Sequence, residues 1–398
     1  MTRWPTKLLG EVCTVNPKLA ASDAPHPDTE VTFVPMAAVD EVSGSIVRPE
    51  NRRFKEVAKG YTPFGENDVL FAKITPCMQN GKAAVANNLC NDFGFGSTEF
   101  HVLRSTGSVL PRWVFAFIRQ PAFRSAAEAS FTGSAGQQRV PADFLKTFPI
   151  PVPPLAEQER IVRLLDEADD LRKLRAQADR RTADLIPALF HEMFGENTKK
   201  PHVRVRLEQI AEVVSGVAKG RKFNGRLPVE VPYLRVANVQ AGHLDLSEIK
   251  TIQALPEEVE ELALRKGDVL LTEGGDFDKL GRGAMLEQDL PNCIHQNHVF
   301  RVRLEQSKLD PVYFAKFLLT GEARRYFLGC AKRTTNLASI NMTQLRALPV
   351  LLPPLPLQKE FAARVSDIRA IQAEQAASRR SLDDLFHSML HRAFQGEL

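Results

Sequence analysis

The chain has 398 residues, 43% hydrophobic and 25% charged, which is too long for one ordinary core and too apolar for a disordered segment. Lysine and arginine (52) nearly balance aspartate and glutamate (48), so the net charge of +4 permits nucleic-acid binding without demanding it. No apolar run reaches ~18 residues, so no membrane span is expected; the opening MTRWPTKLLGEV lacks the apolar core of a signal peptide; and five dispersed cysteines (Cys13, Cys77, Cys90, Cys293, Cys330) with no CxxC argue for a reducing cytoplasm rather than a disulfide frame.

In chain order, residues 68–74 and 100–103 are rich in Val, Leu and Phe and predict short strands. Residues 111–119 predict a helix with Pro111 in its first turn. Segments 79–82 and 91–97, rich in Gly and Asn, predict loops. Then comes the stretch around which the chain is organised, residues 148–195. Pro149, Pro151, Pro153 and Pro154 hold the backbone extended, and a long helix is expected from Leu155. Ile161, Leu164, Ala168, Leu171, Ala178, Leu185 and Leu189 recur at three- and four-residue steps, the seam of a helix that pairs with another long helix. Glu157, Glu159, Asp166, Glu167, Arg172 and Lys173 fall on the wet faces, and Pro187 predicts a kink or break. Gly195 is a helix stop, and the polar segment 196–202 reads as a join.

The second half runs through the same pattern. Strands are expected at 268–272 and 299–302, a helix at 311–319, and loops at 274–283 and 333–339. Residues 348–395 repeat the stretch 148–195: Pro353, Pro354 and Leu355 form the same proline entry to a second long helix, with Gln358 matching Gln158. Its seam is Phe361, Val365, Ile368, Leu382, Phe386 and Met389. Both helices turn polar at mid-length, at Arg175 and Thr182 in one and at Gln372, Gln375 and Arg379 in the other; such positions fix register and partner.

A shift of about 200 residues lays one half on the other. The run from Phe33 to Val39 meets that from Tyr233 to Val239, and Asn67-Asp-Val-Leu-Phe71 meets Gly267-Asp-Val-Leu-Leu271. Gly81-Lys-Ala-Ala meets Gly281-Arg-Gly-Ala, Phe100-His-Val meets Phe300-Arg-Val, Trp113–Phe117 meets Tyr313–Phe317, and Pro149 meets Pro349. The chain is a tandem repeat, each copy an α+β unit with twisted strands and long loops, followed by one long helix. Antiparallel pairing of the two helices would give a pseudo-two-fold body.

Motifs for chemistry are missing. No NPP[FY]- or PC-type methyltransferase motif occurs; Phe93-Gly-Phe-Gly96 is the only echo of a cofactor loop, and Asn16-Pro-Lys lacks the second proline and the aromatic. No GxxxxGK[ST] is present, which argues against an ATP motor. Glu66, Asp68 and Lys73 loosely resemble a nuclease set, but Asp68 fits better as a turn residue before a strand. His295 with His298, and His387 with His391, have ligand-like spacing without a third ligand, and no Ser-His-Asp set can be assembled.

Binding remains. Arg and Lys suit guanine or phosphate, Asn and Gln suit adenine. In the first unit the candidates are Lys73, Gln79, Asn80, Lys82, Gln137, Gln138 and Arg139. In the second they are Lys219, Arg221, Lys222, Arg235, Asn238, Lys279, Arg282, Lys332, Arg333 and Asn336. Lys82 and Arg282, each a cation after a glycine, are the best-matched pair. The competing reading of every one is an exposed polar loop residue, and of the whole chain a protein-interaction adaptor that never touches DNA.

The run PxPPLAEQxRIV at 151–162 and its echo PPLPLQKEF at 353–361 resemble the conserved regions of specificity subunits of type I restriction-modification systems. So do Thr132-Gly-Ser-Ala-Gly-Gln-Gln-Arg-Val140, the GDVL-like turns and the unit openings at 8–12 and 207–213; the resemblance covers essentially the whole chain. It implies two target recognition domains, 1–148 and 196–348, each reading half of a split, asymmetric double-stranded DNA sequence. It implies two spacer helices, 149–195 and 349–398, forming an antiparallel coiled coil. It further implies a non-catalytic chain with no cofactor of its own and no membrane contact. Two methyltransferase subunits would supply S-adenosylmethionine, and restriction subunits would bring ATP and Mg2+. A DNA-reading subunit of another phage-defence methylation system would share this architecture. The second copy departs at Pro356-Leu357, where the first has Ala156-Glu157, and at Arg333-Thr-Thr-Asn336, where the first has Gly133-Ser-Ala-Gly136.

Overall fold

Proline fixes φ near the extended region and has no N–H to give a ladder. Both proline lead-ins are accordingly short paired strands: Pro149–Pro151 runs antiparallel to Thr6–Leu8, and Pro349–Leu352 to Val203–Arg206. The long helices start where the sequence predicts, as Leu155–Ala183 and Leu355–Gln395. The first stops before Asp184 and resumes as Leu185–Phe194. Pro187 has no N–H for the carbonyl of Ala183 and its ring crowds that carbonyl, so the break lies upstream of the proline.

The computed structural model describes residues 4–134, 136–195, 202–275, 280–333 and 338–398, with Arg333 as backbone alone. The chain divides into two units, Met1–Ala178 with Gln375–Leu398, and Asp179–Glu374. Each unit therefore takes one part of each long helix.

The first unit centres on an antiparallel sheet in the order Cys13–Val15, Phe100–Ser105, Val69–Ala72, Ala83–Val85. Val69–Ala72 is buried on both faces, which is why it reads as a continuous apolar run rather than an alternating one. Helices Pro111–Ile118 and Pro121–Ala129 supply Trp113, Phe117 and Phe123 to the same core as Phe71, Leu390 and Phe394. A second sheet runs Glu50–Arg53, Glu30–Val34, Phe93–Gly96, Thr62–Gly65, with Glu30–Val34 parallel to Phe93–Gly96. The expected loop at 91–97 thus contains a strand. Its glycines serve a close approach: a Cβ on Gly94 would stand 2.0 Å from the ring of Phe64.

The second unit repeats the plan, with Ala211–Ser215, Val299–Leu304, Val269–Thr272 and Gly283–Met285 in the matching order. Its other sheet runs Lys250–Ala254, Val229–Leu234, Ile294–His295. Helices Pro311–Phe317 and Gly321–Cys330 cover its core. One expected match is displaced: Ala72 pairs with Phe100 but Thr272 pairs with Val299. Val299, not Phe300, is the counterpart of Phe100. Ion pairs enforce that register, because Arg104 clasps Asp68 and Arg303 clasps Asp268 in the same bidentate way.

Inside each unit the helix segments run antiparallel. In the first, Arg160 donates to the carbonyl of Leu398 at 2.6 Å, and Arg172 Nε to Asp383 Oδ1 at 2.7 Å. In the second, Gln372 Nε2 donates to the carbonyl of Thr182 at 2.9 Å, and Phe190 and Phe194 lie against Phe361. The predicted seam of the second helix faces inward throughout, joined by Leu390, Ala393 and Phe394. The first helix departs from expectation by one residue at three places: Leu165, Arg172 and Ile186 turn inward, while Leu171 and Leu185 are 51% and 42% exposed. Arg172, expected on a wet face, causes the misreading. Its guanidinium lies 4.5 Å over the ring of Phe386, so a charged side chain fills an apolar seam position.

Candidate nucleic-acid interface

A common frame positions the loops of both units. Asp68 is 1% exposed and accepts from the backbone N–H of Gly65 at 2.7 Å as well as from Arg104; Asp268 accepts from Arg265 and Arg303 in the same manner. Asp68 is therefore the turn residue that its sequence setting indicates, and Glu66 beside it caps the backbone of Asn88 and Leu89. Trp113 donates its indole N–H to the carbonyl of Pro151, and Tyr313 its hydroxyl to the carbonyl of Leu351, both at 2.9 Å. Different rings thus do one job in the two copies.

At the end of the central strand, each frame carries a small β-ribbon. In the first unit Thr132 and Arg139 exchange backbone hydrogen bonds at 2.9 and 3.0 Å, and Ile74 bridges to Arg139. In the second, Lys332–Arg333 pairs with Ala338–Ser339, which pairs with Gly274–Gly275. Lys73, Gln137, Gln138 and Arg139 come together here, and Lys332 occupies the matching ribbon. Gln137 is exposed, and Gln138 and Lys73 are half-buried. Arg139 forms a two-pronged ion pair with Glu99, Nε to Oε2 at 2.9 Å and Nη2 to Oε1 at 2.8 Å. That contact holds the Glu99 carboxyl below the usual range and pushes the arginine upward. Lys73 also borders a cleft of about 440 Å³ walled by Asn16, Phe54, Tyr61 and Phe95.

The remaining candidates are spread over other surfaces. Gln79 donates to Glu128 Oε1 at 2.5 Å, and Asn80 is exposed beside it. Gly81 and Gly281 adopt positive φ, 79° and 71°, and the cation after each is half-buried. Lys82 reaches Glu41 at 3.3 Å and the carbonyl of Met36 at 3.4 Å; Arg282 donates to Gln240 Oε1 at 2.6 Å. Lys219 and Lys222 are exposed, while Arg221 between them pairs with Glu258 and lies over Phe223. Arg235 pairs with Glu248. Asn238 is 3% exposed and gives both amide protons to the carbonyls of Asp245 and Glu248, accepting from the N–H of Arg235. Lys279 and Asn336 lie outside the described residues, as does the side chain of Arg333.

Residue type did not point to Glu99, Glu273 and His298, which join Lys73 and Arg139 at the foot of the ribbons. An acidic side chain reads as solvated surface, and the only sign of the two glutamates is their place just before or after a strand; His298 drew notice only for its spacing from His295, a metal-ligand reading. Among the described residues no group of three His, Cys, Asp or Glu side chains is arranged to hold a metal. His387 and His391 are exposed, whereas His295 is fully buried and donates from Nδ1 to the carbonyl of Val299. Cys13 and Cys293 are free and buried, and burial pushes both thiols up to about 12. No helix among the described residues is long and apolar enough to cross a membrane.

Comparison with known proteins agrees with this two-fold repetition. A family model described as the type I restriction modification DNA specificity domain matches the chain twice, at residues 1–179 and 200–379. The chain is 26% identical over 488 residues to the type I restriction enzyme EcoEI specificity subunit of Escherichia coli, covering 98% of this chain and 81% of that one. It is 35% identical over 211 residues to the EcoAI specificity subunit of Escherichia coli, covering 53% and 35%. A solved chain from work on complex assembly and conformational transition of the type I R-M system has the same fold, with a TM-score of 0.67 at 21% identity over 99% of this chain and 98% of that one. The type-I restriction-modification system S subunit from M. genitalium gives a TM-score of 0.53 at 13% identity over 99% and 96%. With both repeats matched across nearly all of its length, this chain belongs to the type I restriction modification DNA specificity family and is a non-catalytic specificity subunit.

Proposed function

We propose that each unit reads one half of a split, asymmetric double-stranded DNA sequence, and that the long helices set the gap between the halves. The observation that carries this reading is one frame used twice, each time presenting a ribbon of polar residues at the end of the central strand. A two-stranded ribbon fits the major groove, where base edges are distinguishable. A helix of 41 residues rises roughly 60 Å, enough for readers that engage major grooves one turn apart, ~34 Å. The gap between half-sites is then unread.

The bond-making belongs to partners. Two methyltransferase subunits dock on this chain and bring S-adenosylmethionine; restriction subunits bring ATP and Mg2+. Supporting this division is the lack of a methyltransferase or nucleotide-binding motif in the sequence. Free cysteines suit a reducing cytoplasm. The test is methylome sequencing of cells carrying the cognate methyltransferase with and without this chain. A bipartite methylated motif that vanishes with the chain is expected; methylation independent of the chain would refute the reading.

A further inference from the structure

The two ribbons stand on equivalent backbone, with opposite chemistry at three positions at their feet. Lys73 and Glu273 follow corresponding strands, and each gives its N–H to the residue before the neighbouring strand, Glu99 at 2.9 Å and His298 at 3.0 Å. Each accepts at its carbonyl from the residue closing the ribbon, Val140 at 3.0 Å and Ile340 at 2.8 Å. Three positions therefore correspond by their hydrogen bonds: Lys73 with Glu273, Glu99 with His298, and Arg139 with Ser339. The first unit holds two cations and one anion there. The second holds one anion, one histidine and a serine.

In the first unit, Glu99 and the carbonyl of Gln137 take three of the five N–H groups of Arg139. What is left is one N–H on each Nη, with the guanidinium held in a fixed direction by the ion pair. Two such donors suit two adjacent acceptors such as guanine O6 and N7, with Lys73 adding positive charge beside them. In the second unit, His298 Nδ1 donates to Glu273 Oε2 at 2.5 Å, leaving Oε1 to accept; the side chains are 56% and 35% exposed. Phosphate repels a carboxylate, so a carboxylate at a DNA surface is useful chiefly against an amino group.

We propose that the two units read opposite base edges at this position. Arg139, set by Glu99 and aided by Lys73, recognises the paired acceptors of a guanine in the first half-site. Glu273, set by His298, recognises an exocyclic amino group, cytosine N4 or adenine N6, in the second. The proposal rests on the DNA-reading function above and adds which side chains choose the base.

The experiment expresses the full chain with its methyltransferase and maps methylated sites for wild type, Arg139→Ala and Glu273→Gln. Arg139→Ala relaxes one guanine position in one half-site by about tenfold, and Glu273→Gln alters one position in the other half, the gap being kept. The base lost on Glu273→Gln tells cytosine from adenine. If melting shows that Arg139→Ala does not fold, Arg139→Lys, which keeps the charge and loses the fork, is mapped instead and must give the same relaxed position. An unchanged motif in folded variants, or change in both halves at once, overturns the assignment. Failure of the broader reading looks different: wild type then yields no motif that depends on the chain.

Discussion

Gln158 and Gln358 fill identical sockets at the starts of the two long helices. Each side-chain oxygen accepts at 2.8 Å from a backbone N–H, of Leu110 or Asp310, and each Nε2 donates to two carbonyls, of Ser108 and Pro153 or of Lys308 and Pro353. Both residues are fully buried. The amide thus ties the proline lead-in, the helix start and the loop before the covering helix into one joint. Gln158→Leu and Gln358→Leu leave those backbone groups buried and unpaired, and each is predicted to lower stability by about 2–4 kcal/mol in denaturant unfolding. A loss below about 0.5 kcal/mol would mean that the joint is open to water.

The seam of the first helix makes a contrasting pair. Arg172 bonds Asp383 and Asp169 and covers Phe386, whereas its neighbour Leu171 is half exposed. Arg172→Ala is predicted to destabilise by about 1–3 kcal/mol, because Asp169 is 6% exposed and loses a partner. Leu171→Ala stays within about 0.5 kcal/mol. Thermal melting of both variants checks the order, and a larger effect at Leu171 would restore the seam expected from hydropathy.

A pH effect should appear at His295. Burial, with Arg301 nearby, pushes its pKa down from 6.5 to about 4. The unfolded chain therefore binds this proton first as pH falls. The stability is fully present above pH 6.5 and is lost progressively down to about pH 4, by about 3 kcal/mol in all, of which about 2 is gone by pH 5. Denaturant unfolding at pH 7.5 and 5 should show that slope in wild type and a flatter one in His295→Asn. Equal slopes would show that His295 titrates normally when folded.

Much of the frame is readable from the chain because its signals are local. Proline clusters mark the edge strands, Gln158 and Gln358 repeat at a fixed offset, and Asp68 announces a turn. What escapes reading depends on partners far along the chain. Arg172 looks solvated until Phe386 and Asp383 stand opposite it. The counterpart of Phe100 is fixed by Asp268 reaching Arg303, a contact that no repeat alignment contains. The candidate binding residues rest on residue type alone, which gathers Arg139 and Gln137 but equally Asn238, whose amide is used inside a turn. Glu99 and Glu273 were invisible, since nothing distinguishes a carboxylate that orients an arginine from one that only meets water, and His298 stood out only for its spacing from His295.

The central claim is that the helices separate two independent readers. Four residues inserted at the polar middle of both long helices add roughly 6 Å of rise while leaving each ribbon intact. The measurement is the methylome of cells expressing this variant with the cognate methyltransferase. A motif with the same bases in both half-sites and a changed gap is predicted; altered half-site bases around an unchanged gap would contradict it.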